Sequence, residues 1–175
     1  METTDKFYGM MPSINNHSFL DYPENEDCLT IFFTGCSHHC ENCQNKELQQ
    51  IGLVYVELEY IELVNLITKI AKRLRTNKIV LQGGDPLHPQ NRNVARRLVD
   101  DLHVLYDFCI YTGYSYRDIK KYTNNCKYVI TEKFNERNFM PPEKTDDYLQ
   151  LASSNQKIYK YGKLISNKGR INFEK

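Results

Sequence analysis

Three cysteines fall in the run Thr34-Gly35-Cys36-Ser37-His38-His39-Cys40-Glu41-Asn42-Cys43, spaced C-x3-C-x2-C. Thiolates are ligands for soft metals, and Cys36, Cys40 and Cys43 on one short loop can converge on a single metal centre. The count of three is informative. A structural zinc site closes its shell with four protein ligands. A 4Fe–4S cluster has four irons to ligate, so three cysteines leave one iron open to a small molecule. The competing assignment is a zinc knuckle completed by His38 or His39. It lacks the second C-x2-C pair of ordinary zinc spacings.

The elements that must position this loop are legible around it. Leu29-Thr30-Ile31-Phe32-Phe33 is short, apolar, β-branched and aromatic, and predicts a buried strand delivering the cysteines past its carboxyl end. Lys78-Ile79-Val80-Leu81 predicts a second strand, which carries Gly83-Gly84 to the same edge, where α/β proteins usually build sites. Phe108-Cys109-Ile110-Tyr111 predicts a third, carrying Thr112-Gly113-Tyr114, and Lys127-Tyr128-Val129-Ile130 a fourth. Between them, Ile61, Val64, Ile67, Ala71 and Leu74 recur at helical intervals from Glu57 to Leu74, with cations in the last turn as the macrodipole favours. Val94, Leu98, Leu102 and Leu105 mark a second helix over 93–105, and Ser115 with Asp118 caps a short third one through Tyr122. Pro141-Pro142 excludes regular structure, and the stretches 157–161 and 163–165, split by Gly162, predict a terminal strand or hairpin.

Alternation of strand and helix implies right-handed crossovers and a mainly parallel sheet. A full eight-stranded barrel typically needs ~250 residues, so with 175 residues an α/β fold of partial, open βα-barrel form is expected, as a single domain over 1–175.

With the cysteine loop after its strand, the chain resembles the radical S-adenosylmethionine (SAM) enzymes. The run Gly83-Gly84-Asp85-Pro86-Leu87-His88-Pro89-Gln90-Asn91 is similar to the second signature of one branch, the activating enzymes of anaerobic ribonucleotide reductase. Tyr111-Thr112-Gly113-Tyr114 and Ser153-Ser154-Asn155-Gln156 follow in the order that branch shows. The resemblance implies the open barrel of the radical SAM type, a 4Fe–4S cluster on Cys36, Cys40 and Cys43, and SAM as the small molecule at the open iron. It implies SAM contacts at Gly83, Gly84, Asp85, Asn42, Thr112 and Asn155. Asn42 stands where many members carry an aromatic, so it cannot stack on adenine. Reductive cleavage of SAM would place a glycyl radical on the catalytic subunit of the anaerobic reductase, with a low-potential electron donor such as flavodoxin. The same cysteine loop also serves activases of other glycyl-radical enzymes, formate-lyase-like ones among them. A non-catalytic zinc or iron–sulfur module is the alternative of a different class. The chain departs from the branch at Glu24-Asn25-Glu26-Asp27, Thr131-Glu132 and Leu151-Ala152, where the branch favours glycines, Asp-Gly and Arg-Gly.

The remaining groups have plainer readings. His88 is expected to pack its loop rather than act as a base, because homolytic cleavage needs an electron rather than a proton acceptor. His38 and His39 are expected to shape the cysteine loop. Cys28, Cys109 and Cys126 sit in apolar runs and read as small buried residues. A net charge of +1 offers no argument for binding nucleic acid or an anionic membrane. No apolar run approaches the ~20 residues of a membrane span, and the first six residues hold no signal-peptide core. A cytoplasmic, reducing location is therefore expected, where thiols stay available for metal.

Overall fold

The computed structural model describes residues 5–141 and 150–171; residues 1–4 and Pro142 of the expected break lie outside them. In chain order the elements begin with β1 (Lys6–Gly9), β2 (His17–Ser18), β3 (Cys28–Phe33), β4 (Val56–Glu59) and α1 (Tyr60–Leu74). Next come β5 (Lys78–Gly83), α2 (Arg92–Leu102), β6 (Asp107–Tyr111), α3 (Tyr116–Ile119) and β7 (Tyr128–Thr131). The last are β8 (Lys157–Lys160), β9 (Lys163–Leu164), β10 (Ser166–Asn167) and β11 (Arg170–Ile171).

These strands do not form the expected partial βα barrel with a mainly parallel sheet. They form a nine-stranded mixed sheet in the order β4-β1-β3-β5-β6-β7-β8-β9, with β2 also on β3. Only the ladders β3·β5, β5·β6 and β6·β7 are parallel. The other five, β1·β3, β1·β4, β2·β3, β7·β8 and β8·β9, are antiparallel, and the described residues hold three α-helices. The physical reason is that the antiparallel additions come from segments without an apolar run. Val56-Glu57-Leu58-Glu59 alternates apolar and charged residues, the pattern of a strand with one buried face. It pairs along its whole length with Lys6–Gly9, so what scanned as the first turn of a helix is an edge strand.

The helix then begins at Tyr60, with Glu59 as N-cap and the Glu62 carboxylate accepting the Glu59 N–H in a capping box. Starting there turns the buried stripe to Tyr60, Leu63, Ile67, Ile70 and Ala71, and leaves Ile61, expected in the core, 62% exposed. α2 ends at Leu102 rather than reaching Leu105, which is 63% exposed. The β8–β9 pair is the terminal hairpin the sequence predicts.

Alternation along the central strands splits the core between the two faces of the sheet. Leu29, Ile31, Phe33, Ile79, Leu81, Phe108 and Ile110 cluster with α1 and α2 on one face. Cys28, Val80, Cys109, Tyr128, Ile130 and Ile158 face the other way and pack with Tyr22, Leu151 and Ile171 instead of helices. Cys28, Cys109 and Cys126 are buried, as expected. At the amino edge of the parallel strands, Asp107 receives Lys78 (2.8 Å) and Lys127 (3.1 Å), and Lys127 also reaches Glu24 (2.9 Å). Among the described residues no helix is long and apolar enough to cross a membrane.

Candidate functional site

At the carboxyl edge the cysteine loop is held by backbone bonds that need no metal. The N–H groups of Gly35 and Cys36 donate to the carbonyls of Leu48 (2.8 Å) and Gln49 (2.9 Å), so a 3-10 turn at Lys46–Leu48 underpins the first cysteine. Thr34 Oγ1 donates to the Leu53 carbonyl at 2.8 Å. The β5 loop closes against it from the other side. Gly84 N donates to Phe33 O and Asp85 N to Gly35 O, both at 2.8 Å. Asn91, 2% exposed, donates its amide to Thr34 O (2.8 Å) and Asp85 O (2.9 Å). The run from Gly83 to Asn91 is thus first a brace for the cysteine loop. At Gly84 a Cβ would stand 2.6 Å from Gly35 O and 2.7 Å from Leu48 O. The absent side chain there admits the chain's own backbone.

Asp85 gathers three loops. Its carboxylate, 1% exposed, accepts Leu87 N (2.8 Å), Thr112 Oγ1 (2.9 and 3.0 Å) and Gly113 N (2.9 Å). His38 Nε2 stands 3.0 Å from its Oδ2 and donates to it, the direction an ionised carboxylate allows. The His38 ring packs edge-on to Tyr114, with centroids 4.5 Å apart, and a Cβ at Gly113 would overlap it. His38 therefore shapes the cysteine loop, as expected, by clasping it to the loop after β6. His39 is exposed with a left-handed φ of 48°. His88 is 8% exposed, and its Nδ1 accepts from Gln90 N at 3.3 Å. Burial holds its imidazole pKa below the ordinary value, so it packs its loop as a neutral ring.

Above these loops lies a cavity of about 460 Å³ on the face of the sheet that carries no helix. Cys36, Cys40 and Cys43 line it together with Asn42, Gly83, Gly84, Asp85 and Thr112. Asn155 does not; its amide donates to Lys133 O at 3.0 Å, and the neighbouring Gln156 occupies the wall. Phe134, Phe139 and Leu151 close the far side. That side is a strap in which Phe139 bridges to Ser153, and Asn42 reaches it through a hydrogen bond to Glu136. Sequence reasoning did not single out Asp21, Gln82 or Glu136, and it took Gln156 only as the second member of the Asn155-Gln156 pair. Asp21 and Glu136 stand in irregular segments with no motif of their own, whereas Gln82 directly precedes Gly83-Gly84.

The donor set fits an iron–sulfur cluster. All six cysteines are free thiols, and only three of them reach the cavity. Burial pushes the Cys36 thiol up to about 11, against a backbone N–H from His38 that favours the thiolate, and burial raises Cys40 as well. Metal must therefore displace these protons on binding. Cys36 Sγ, a His38 nitrogen and an Asp85 oxygen lie within 4.8 Å of one another. That trio suits a single ion, but Asp85 is already filled by hydrogen-bond donors, and Cys40 and Cys43 stand outside it. Three thiols spread around one cavity suit the larger body of a cluster.

A family model described as a 4Fe-4S single cluster domain matches residues 27–159. The chain is 31% identical over 150 residues to the anaerobic ribonucleoside-triphosphate reductase-activating protein of Enterobacteria phage T4, covering 79% of this chain and 88% of that protein. The proteins of that name from Escherichia coli K12 and Pasteurella multocida are 27% and 29% identical. They cover 74% and 75% of this chain, and 86% of each relative.

Proposed function

This chain belongs to the 4Fe-4S single cluster family of anaerobic ribonucleoside-triphosphate reductase-activating proteins, and from that premise we propose that it activates such a reductase by radical SAM chemistry. Cys36, Cys40 and Cys43 hold a 4Fe–4S cluster, and SAM lies along Gly83, Gly84, Thr112 and Asn42. When bound, the cluster supplies one low-potential electron and SAM the carbon–sulfur bond that it breaks, so that a hydrogen atom can be taken from a glycine of the reductase's catalytic subunit. The observation that carries this reading is that three cysteines and the ends of β5 and β6 wall a single cavity.

The chain's own residues bind, orient and exclude water. Asp85 contributes by fixing the three loops rather than by offering a free carboxylate, since its oxygens already accept from Leu87, Thr112, Gly113 and His38. Phe134, Phe139 and Leu151 keep the far wall apolar, which strengthens electrostatic contacts inside. A flavodoxin-like donor supplies the electron.

The test is anaerobic reconstitution followed by metal, sulfide and product analysis. The reading expects about four irons per chain, equimolar acid-labile sulfide, and methionine released from SAM on reduction. Zinc in place of iron, or a full cluster that never releases methionine, contradicts it.

A further inference from the structure

Asp21 sits where the cavity meets the face of the sheet that carries no helix, and the three central strands all hold it. Thr30 on β3 and Gln82 on β5 both donate to its Oδ2, at 2.9 and 3.1 Å. Tyr111 on β6 donates to its carbonyl at 2.7 Å, and its own N–H donates to Ser18 Oγ at 3.3 Å. Thr30 and Gln82 are 1% and 7% exposed, so the carboxylate is fixed from inside the protein. Both side-chain bonds fall on one oxygen; Oδ1 makes no hydrogen bond among the described residues. Asp21 also lines the cavity.

Three carboxylates line that cavity, Asp21, Asp85 and Glu132. Asp85 is filled by four donors, and Glu132 pairs with Lys157 at 4.0 Å. Asp21 is the one that is both rigid and half open. Its holders also place it, because Gln82 directly precedes Gly83 and Tyr111 directly precedes Thr112. Asp21 thus lies beside the two segments proposed to contact SAM.

We propose that Asp21 receives the positive sulfonium of SAM and is the residue by which this site distinguishes SAM from its uncharged counterpart. The inference rests on the SAM reading above. The amino and carboxylate groups of the methionine end have the open iron as a partner. The cluster loop lines the cavity with the thiols that the cluster would take, an imidazole and amides, and offers no carboxylate to the sulfonium. A carboxylate held in place in a partly apolar cavity attracts a cation without first having to order itself.

The experiment is equilibrium binding of SAM and of S-adenosylhomocysteine, which lacks the methyl group and the charge, to anaerobically reconstituted protein. Iron and sulfide content are measured on the same samples. Wild type is expected to prefer SAM. Asp21→Asn keeps an oxygen for Thr30 and Gln82 and should leave cluster content and S-adenosylhomocysteine binding unchanged while weakening SAM about ten-fold. Asp21→Glu, which retains the charge, should retain a preference for SAM. Equal affinity of wild type for the two ligands overturns the inference without any variant. So does a parallel loss of both ligands in Asp21→Asn, or loss of the preference in Asp21→Glu. Cluster-loaded wild type that binds neither ligand overturns the SAM reading itself, which separates the two failures.

Discussion

The two edges of the parallel strands are each organised around an aspartate, and the two aspartates do opposite work. Asp107, at the amino edge, is 30% exposed and is held by two ammonium groups, Lys78 and Lys127. Burial raises its carboxyl, but the hydrogen bonds from those lysines outweigh it and hold the pKa below the ordinary value. Asp85, at the carboxyl edge, is 1% exposed and is held by two backbone N–H groups, one hydroxyl and one imidazole. The first arrangement is a charge network that water and salt can reach. The second joins the loops after β3, β5 and β6 without a lysine or arginine, and leaves the cavity beside it free for ligands. The loops around the candidate site are held by directional, desolvated bonds; the opposite edge is held by partly buried ion pairs.

The sharpest way to break this contrast lies in the cysteine loop. Cys36→Ala, Cys40→Ala and Cys43→Ala are each expected to abolish cluster assembly, read as iron, sulfide and visible absorbance, since three ligands leave no redundancy. Cys28→Ala, Cys109→Ala and Cys126→Ala should keep the cluster; loss of it in Cys109→Ala would move the centre off the carboxyl edge. Next in size is Gly84→Val, whose side chain would meet the Gly35 and Leu48 backbones. It should displace the cysteine loop and sharply lower cluster content. A fully loaded Gly84→Val would mean the loop has slack that the packing does not show.

Comparing the two aspartates directly sharpens the difference. Asp85→Ala leaves two backbone N–H groups and a hydroxyl without a buried acceptor and is expected to destabilise by roughly 3–5 kcal/mol in chemical denaturation. Asp107→Ala, in a half-exposed network, should lose about 1–2 kcal/mol, and less in high salt. Equal losses at the two sites would erase the distinction between a desolvated hub and a solvated one.

The smallest effect is on pH. Asp107 and Glu24 both lie below their ordinary values of 3.8 and 4.5, because the hydrogen bonds from their lysines outweigh the upward push of burial. A carboxyl whose pKa falls on folding contributes stability that is present above the unfolded value and lost as pH drops through the folded one. Stability should therefore decline as pH falls below about 4.5, and Asp107→Asn should flatten that slope. An unchanged slope in Asp107→Asn would assign the decline elsewhere.

Much of the site was legible because chemistry concentrates in short runs. The C-x3-C-x2-C loop, Gly83-Gly84-Asp85 and Thr112 each follow an apolar strand, and the parallel ladders bring them to one edge. The role of Gly84 was not legible, because a glycine pair looks the same whether a ligand or the protein's own backbone approaches it. Asp21 could not be singled out within its segment, since its holders Thr30, Gln82 and Tyr111 are far apart in sequence and meet only when the sheet forms. The sheet itself was misread for a related reason. A mainly parallel barrel follows from counting apolar runs, whereas β1 and β4 are amphipathic pairs whose strand character depends on each other.

The most direct test of the account joins the protein to its partner. Protein reconstituted with its cluster, reduced anaerobically with SAM, is mixed with the catalytic subunit of an anaerobic ribonucleoside-triphosphate reductase and examined by electron paramagnetic resonance. The account predicts a glycyl-radical signal on the reductase that needs Cys36, Cys40 and Cys43 and disappears in air. A cluster-loaded protein that cleaves SAM yet leaves the reductase without a radical would contradict it.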